Sequence, residues 1–251
     1  MSTPNPIHAF EKECAERVAQ YPDTSLAEAG RAFVRESTQP KYSYNFSWLG
    51  RPIIQYPQDI VAMQELVWRI QPDLIIETGI AHGGSLILSA SLLELNAACG
   101  GDAAAQVLGV DIDIREHNRE AILSHPMSKR ITMIQGSSIE PEIIEQVRSH
   151  AKGKQRILVC LDSNHTHDHV LAELEAYAPL TSVGSYCVVF DTIVEELPSE
   201  MYPDRNWGPG NSPQSAVMAY LQSHPEFEID HSMDNKLLIS VAPKGYLQRK
   251  R

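Results

Sequence analysis

Leu74-Ile75-Ile76-Glu77-Thr78-Gly79-Ile80-Ala81-His82-Gly83-Gly84-Ser85 decides the fold of this chain. An apolar, β-branched run ends in an acid, passes through a glycine turn, and opens a second apolar pattern at Gly84-Ser85. The period changes from that of a strand to that of a helix, with a tight loop between them. Such a junction is where α/β proteins seat nucleotide-like ligands. Glycine suits it because the backbone must turn sharply and approach a ligand with no Cβ in the way. An acid at the strand end is wrong for a phosphate and right for a hydroxyl-rich or cationic ligand. The loop therefore points to S-adenosylmethionine rather than NAD or ATP, and Gly79-x-x-x-Gly83-Gly84 also lacks the G-x-G-x-x-G of NAD-dependent oxidoreductases.

On both sides of this stretch, strands and helices alternate. Strands are predicted at 73–78, 106–111, 131–135, 156–162 and 185–191, and helices at 84–96, 115–124, 139–150, 166–177 and 213–223. This alternation implies a parallel sheet covered on both faces. Two last strands, 226–232 and 236–242, are predicted as a hairpin turning at Met233-Asp234-Asn235, which adds one antiparallel strand. Before the sheet, helices are expected at 7–20 and 24–37, then an aromatic, proline-containing loop over 39–56 that serves as a lid. Pro57 opens a helix to Ile70 with Ile60, Met63, Val67 and Ile70 on one face. The expected organisation is residues 1–56 as N-terminal helices and lid, and 57–251 as the cofactor-binding domain.

The whole chain bounds what the site can serve. Its 251 residues are 43% hydrophobic and 21% charged, ordinary for one globular α/β domain. A net charge of −11 argues against nucleic acid, which needs a basic face. Cys14, Cys99, Cys160 and Cys187 are far apart and form no CxxC pair, so free thiols in a reducing cytoplasm are expected. The polar N-terminus has no signal-like apolar core, and no apolar run is long enough to span a membrane.

Ligands of doubly wound sheets sit at the carboxyl ends of the strands. Those ends carry Glu77 and Gly79, then Asp111, then Gln135-Gly136-Ser137-Ser138, then Asp162-Ser163-Asn164-His165, then Asp191-Thr192. One acid after a strand serves equally as a helix cap. Acids or hydroxyls at four or five successive ends point instead to a functional cluster. Asp111 is placed to accept hydrogen bonds from both ribose hydroxyls, and Ser138 to border an adenine. Neighbouring strands run about 4.8 Å apart, so Asp162 and Asp191 can share one hard cation, Mg²⁺, with Thr192 beside them. His165, three residues past Asp162, is placed as a general base. His165-Thr166-His167-Asp168-His169 is one residue short of the H-x-H-x-D-H of zinc hydrolases, and a three-histidine zinc site is disfavoured. His169 is expected as a hydrogen-bonded packing residue.

Several of these motifs resemble one family. Trp48-Leu49-Gly50-Arg51-Pro52, Gln55-Tyr56-Pro57-Gln58-Asp59, Glu77-Thr78-Gly79 with Ala81-His82-Gly83-Gly84-Ser85, and Asp162-Ser163-Asn164-His165-Thr166-His167 are similar to the cephalosporin hydroxylase / rhamnosyl O-methyltransferase family. So are Trp207-Gly208, Asn211-Ser212-Pro213 and the tail from Asp234 to Pro243. The resemblance implies a Rossmann-like class I methyltransferase with a seven-stranded, mostly parallel sheet. By that similarity Glu77, Gly79, Ser85, Asp111 and Ser138 would bind S-adenosylmethionine, with Asp162 meeting both cofactor and metal. Asp162, Asp191 and Thr192 would hold the metal, and His165 and Asp162 would carry catalysis. Thr192 stands where catechol-type enzymes carry an amide ligand, and Phe190 where the cephalosporin enzyme has an acid.

The expected chemistry is Mg²⁺-assisted methyl transfer from S-adenosylmethionine to a hydroxyl of a sugar or glycosylated natural product. The rival from another class is a cofactor-binding partner subunit without turnover, in an antibiotic or polysaccharide pathway. The extra N-terminal helices make a homo-oligomer the expected assembly, and Trp207 or Tyr202 is placed to stack on a sugar face.

Overall fold

The computed structural model describes residues 5–201 and 203–251. Helices α1 (Pro6–Val18) and α2 (Ser25–Thr38) come first, each started by a side chain that accepts a free backbone amide: Asn5 from Ile7, Thr24 from Ala27. They match the two predicted helices. The 39–56 segment is more ordered than a loop. It holds a 3₁₀ turn and an antiparallel hairpin, β1 (Phe46–Trp48) and β2 (Arg51–Ile53). Trp48 pairs with Arg51, so Leu49 and Gly50 form the whole turn, and both have positive φ, as a two-residue hairpin turn requires.

Helix α3 (Pro57–Ile70) starts on its proline and matches its predicted span. Its buried stripe is rotated from the expected one. Asp59, Ala62, Met63, Leu66 and Val67 are buried, while Ile60 and Ile70 are only partly covered. The chain then alternates through β3 (Leu74–Thr78), α4 (Gly84–Ala98), β4 (Gln106–Asp111), α5 (Glu116–Leu123), β5 (Ile131–Gln135), α6 (Pro141–Ala151), β6 (Ile157–Leu161), α7 (His167–Tyr177), β7 (Tyr186–Val189) and α8 (Pro213–Tyr220). It closes with β8 (Phe227–Ile229), α9 (His231–Leu237) and β9 (Tyr246–Arg249).

The seven strands lie in the order β5-β4-β3-β6-β7-β9-β8. All pairs are parallel except those made by β9, which is antiparallel to β7 and β8. The expected single antiparallel strand is present, but not where the sequence put it. Residues 231–237 form a helix across the predicted turn, and the pairing strand is 246–249. Two carboxylates explain the shift. Asp230 accepts Ser232 N at 3.1 Å and caps α9, while Asp59 accepts Ser240 Oγ at 2.6 Å and Val241 N at 2.9 Å. The apolar run at 237–242 is thereby fixed by side-chain bonds rather than by a strand ladder.

Alternate side chains of the central strands go to opposite layers. Ile75, Val107, Leu158 and Val188 join Leu66 of α3 and Leu86 of α4, whereas Ile76, Leu108, Val159 and Cys187 join Val147, Leu174 and Val217 of α6, α7 and α8. Helix α4 is apolar on nearly all sides because it is buried on nearly all sides, with β1, β2 and α3 packed against it besides the sheet. Val34, Ile53 and Tyr56, from before residue 57, lie in the same core. The order of strands reverses between β3 and β6, and a crevice opens there at the carboxyl ends. Among the described residues, no helix is long and apolar enough to cross a membrane.

Candidate active site

The crevice is built first by the glycine loop after β3. Glu77 is 4% exposed, and the Ser85 hydroxyl at the start of α4 donates to it. Burial pushes the Glu77 carboxyl up to about 7, against the pull of that hydrogen bond. Gly79 has φ +90°, and a Cβ there would lie 2.1 Å from the Asp162 carbonyl oxygen. A Cβ on Gly84 would lie 2.1 Å from the Pro52 carbonyl oxygen. The loop is thus enclosed by the end of β6 on one side and by the hairpin segment on the other, and both approaches need glycine.

Register aligns the next groups. Thr78 pairs with Val110 and with Leu161, so Asp111 and Asp162 follow at the same level of the sheet. The Asp162 amide donates to the Thr78 carbonyl at 2.9 Å and so extends that ladder by one bond. Asp191 has φ 53°, which turns the chain sharply after β7. His165 Nε2 stands 3.1 Å from Asp191 Oδ2. Ligand-type atoms of Asp162, His165 and Asp191 all lie within 4.8 Å of one another. Burial, then the Asp191 and Glu77 charges, hold the Asp162 carboxyl well above the ordinary range. Two carboxylates pressed together in this way form a site that a cation would relieve.

The predicted site residues separate into two groups. Gly79, Ser85, Asp162, His165 and Asp191 line one cavity of ≈ 160 Å³, and Glu77 and Asp162 border a narrow gap beside it. Asp111, Ser138 and Thr192 do not line that cavity. Asp111 Oδ2 accepts Ile80 N at 2.7 Å and Ala81 N at 3.2 Å, so its carboxylate braces the glycine loop. Ser138 is buried, with its hydroxyl 3.1 Å from His169 Nε2. His169 is also 3.2 Å from Ser163 Oγ, in keeping with its expected hydrogen-bonded place.

Thr192 is buried, and its hydroxyl donates to the Pro243 carbonyl at 2.6 Å. The β9 side of the sheet brings Pro243 to Thr192, a contact of sequence separation 51 that no local pattern signals.

A larger groove of ≈ 980 Å³ adjoins the cavity and shares Tyr44, Ile54, His165 and Asp191 with it. Trp207 lines the groove and stands edge-on to His165, ring centroids 5.2 Å apart at 82°. The loop carrying it is held by Glu195, which accepts Gly210 N at 2.9 Å and Ser212 Oγ at 2.5 Å. Tyr202 lies outside the described residues. Sequence reasoning passed over Gln55 and the hairpin contact made by Arg51. Arg51 donates through Nε to the His82 carbonyl at 3.0 Å and through Nη2 to Asn118 Oδ1 at 3.0 Å. The two-residue turn at Leu49-Gly50 was the signal for that hairpin, but three-residue strands are too short for alternation to register.

The chain is similar to several known proteins. A family model described as Rhamnosyl O-methyltransferase/CmcI matches residues 40–250. The Rhamnosyl O-methyltransferase of Mycobacterium tuberculosis (strain H37Rv) is 32% identical over 196 residues, covering 76% of this chain and 73% of its own. That of Mycobacterium leprae is 31% identical over 208 residues, covering 81% and 83%. Among solved structures, one of CmcI described with Mg and SAM superposes at TM-score 0.57 with 21% identity, covering 83% of this chain and 78% of that one. A putative O-methyltransferase from Klebsiella pneumoniae superposes at 0.52 with 14% identity, covering 93% of both. At such identities the two structures bear on the fold.

Proposed function

Because the chain belongs to the Rhamnosyl O-methyltransferase/CmcI family, we propose that this S-adenosylmethionine-dependent O-methyltransferase acts on a hydroxyl of a sugar or glycosylated small molecule, with a divalent cation beside the acceptor. The observation that carries the reading is the convergence of Asp162, His165 and Asp191 where the glycine-loop cavity meets the wider groove. The names of the curated relatives support the sugar class.

When bound, S-adenosylmethionine supplies an electrophilic methyl on a sulfonium and a divalent cation supplies Lewis acidity to an alcohol oxygen. The chain does the rest. Gly79 and Gly84 let the end of β6 and the hairpin segment close onto the glycine loop. Asp162 and Asp191 would hold the cation, and their two carboxylates fit a hard ion such as Mg²⁺. A sugar hydroxyl is a poor nucleophile, so its proton must leave as the new bond forms. His165 stands 3.1 Å from Asp191 through Nε2 and lines the cavity with it, and its imidazole takes the proton. Tyr44 and Trp207 offer apolar faces for a sugar ring, and residues 39–56 and 198–212 exclude water from the groove. Glu77, Ser85, Asp111 and Ser138 serve the cofactor side, the latter two by fixing the walls. Residues 1–56 act with 57–251 as cover and cofactor domain, in a homo-oligomer. The four free cysteines support a reducing, cytoplasmic setting.

The test is release of S-adenosylhomocysteine by the purified chain over a panel of rhamnosyl, other glycosyl and catechol acceptors, with Mg²⁺ or with chelator. Turnover is expected on a glycosyl acceptor, to fall at least about a hundredfold in chelator with S-adenosylhomocysteine binding retained, and to fall as far in Asp162→Asn. Undiminished turnover by Asp162→Asn in chelator overturns the metal assignment, and turnover on catechols alone overturns the acceptor class.

A further inference from the structure

Among the described residues, two buried polar atoms without a hydrogen-bond partner belong to residues lining the glycine-loop cavity, His165 Nδ1 and Gln55 Oε1. The histidine is part of the cluster already described. Gln55 is not. It lies between β2 and α3, is 3% exposed, and borders both the cavity beside Gly79 and Ser85 and the narrow gap beside Glu77 and Asp162. A buried carboxamide oxygen without a donor is costly, and in the wall of a cavity it marks a place where a ligand brings the donor.

The surroundings say which donor. Glu77 and Asp162 border the same gap as Gln55, so its walls carry two carboxyl groups, and of the two serine hydroxyls there, Ser85 and Ser89, that of Ser85 is already spent on Glu77. A set of acceptors around one point suits a group with several donors and a positive charge. On the other side, the first turn of α4 presents backbone amides with the opposite polarity, suited to a carboxylate. An ammonium and a carboxylate on one carbon are the amino-acid end of S-adenosylmethionine.

We propose that the Gln55 carboxamide accepts a hydrogen bond from the ammonium of the cofactor's amino-acid tail, so that the segment before α3 completes the cofactor site. This rests on the S-adenosylmethionine assignment above. Pro52 to Gln55 then does two jobs: its backbone seals the start of α4, and its last side chain reads the tail.

Calorimetric titration separates this from the assignment it rests on. S-adenosylhomocysteine carries the amino-acid tail, and 5′-methylthioadenosine lacks it. Gln55→Leu is expected to weaken S-adenosylhomocysteine about tenfold or more while leaving 5′-methylthioadenosine within about twofold of wild type. Gln55→Glu keeps the acceptor and is expected to hold S-adenosylhomocysteine within about threefold. If Gln55→Leu lacks the wild-type melting transition, Gln55→Met carries the same comparison. Equal loss of both ligands by a folded variant, or loss of neither, overturns the proposal. A wild-type chain that binds neither ligand overturns the cofactor assignment itself.

Discussion

At Gly84 a single hydrogen atom decides whether the hairpin and helix α4 can touch. An added Cβ would sit 2.1 Å from the Pro52 carbonyl oxygen, and the obstacle is backbone, which cannot swing aside as a side-chain tip can. Gly84→Ala is therefore expected to cost about 1–3 kcal/mol of stability, seen as a lower melting temperature, and to weaken S-adenosylhomocysteine. An unchanged melting temperature with unchanged affinity would show that the segment moves freely. The neighbouring Glu77 illustrates what a residue type alone conveys. An acid at the end of β3 is evident in the sequence, as is its unsuitability for phosphate. Its burial and its bond to Ser85 depend on α4 folding back over it.

The hairpin β1–β2 is the element that turns an open crevice into a walled one. Three-residue strands bury little surface, so its position depends on a few directed contacts. Trp48 Nε1 donates to Ser91 Oγ at 2.9 Å, and Arg51 ties it to the His82 carbonyl and Asn118. Arg51→Ala is expected to weaken S-adenosylhomocysteine by about tenfold while shifting the melting temperature little, because Arg51 is partly exposed and carries no core packing. Arg51→Lys should not rescue it, since one ammonium cannot reproduce the guanidinium fork on two acceptors. Wild-type affinity in both variants would remove the hairpin from the site. The C-terminal elements teach the complementary lesson. Leu237, Leu238 and Ile239 read as strand, yet the Asp230 cap and the Asp59 bonds give α9 and a loop. Helix α4 and strands β3 to β7, by contrast, follow their patterns within a few residues.

Across the whole molecule, buried carboxylates set a pH dependence. Asp59 is pushed up to about 6 and Glu77 to about 7, both chiefly by burial. Each lies above its ordinary value, so the folded chain holds these protons more tightly than the unfolded chain. The stability they give is full below about pH 4 and is lost as pH rises through 6 and 7. Hydrogen bonding by Arg130 and Lys129 holds Glu94 below its ordinary value, and that contribution runs the other way, failing in acid. Without ligands, the melting temperature is therefore expected to fall from pH 5 to pH 8, and Glu77→Gln to flatten the upper part of that fall. A wild-type profile that is level over this range would contradict it.

The sequence by itself determined the parallel sheet, the glycine loop at its switch point and the acids at the strand ends. Those follow from the period of apolar residues and from where glycine breaks it, and both are local. Only the tertiary structure decided what each strand-end side chain touches. Asp111 braces the loop, Thr192 turns to Pro243, His165 joins Asp162 and Asp191, and Gln55 arrives from outside the sheet. A hydrogen bond depends on which partner reaches the same few ångströms, and Asp59 with Ser240, 181 positions apart, shows that the partner is chosen by the fold and not by the neighbourhood in sequence.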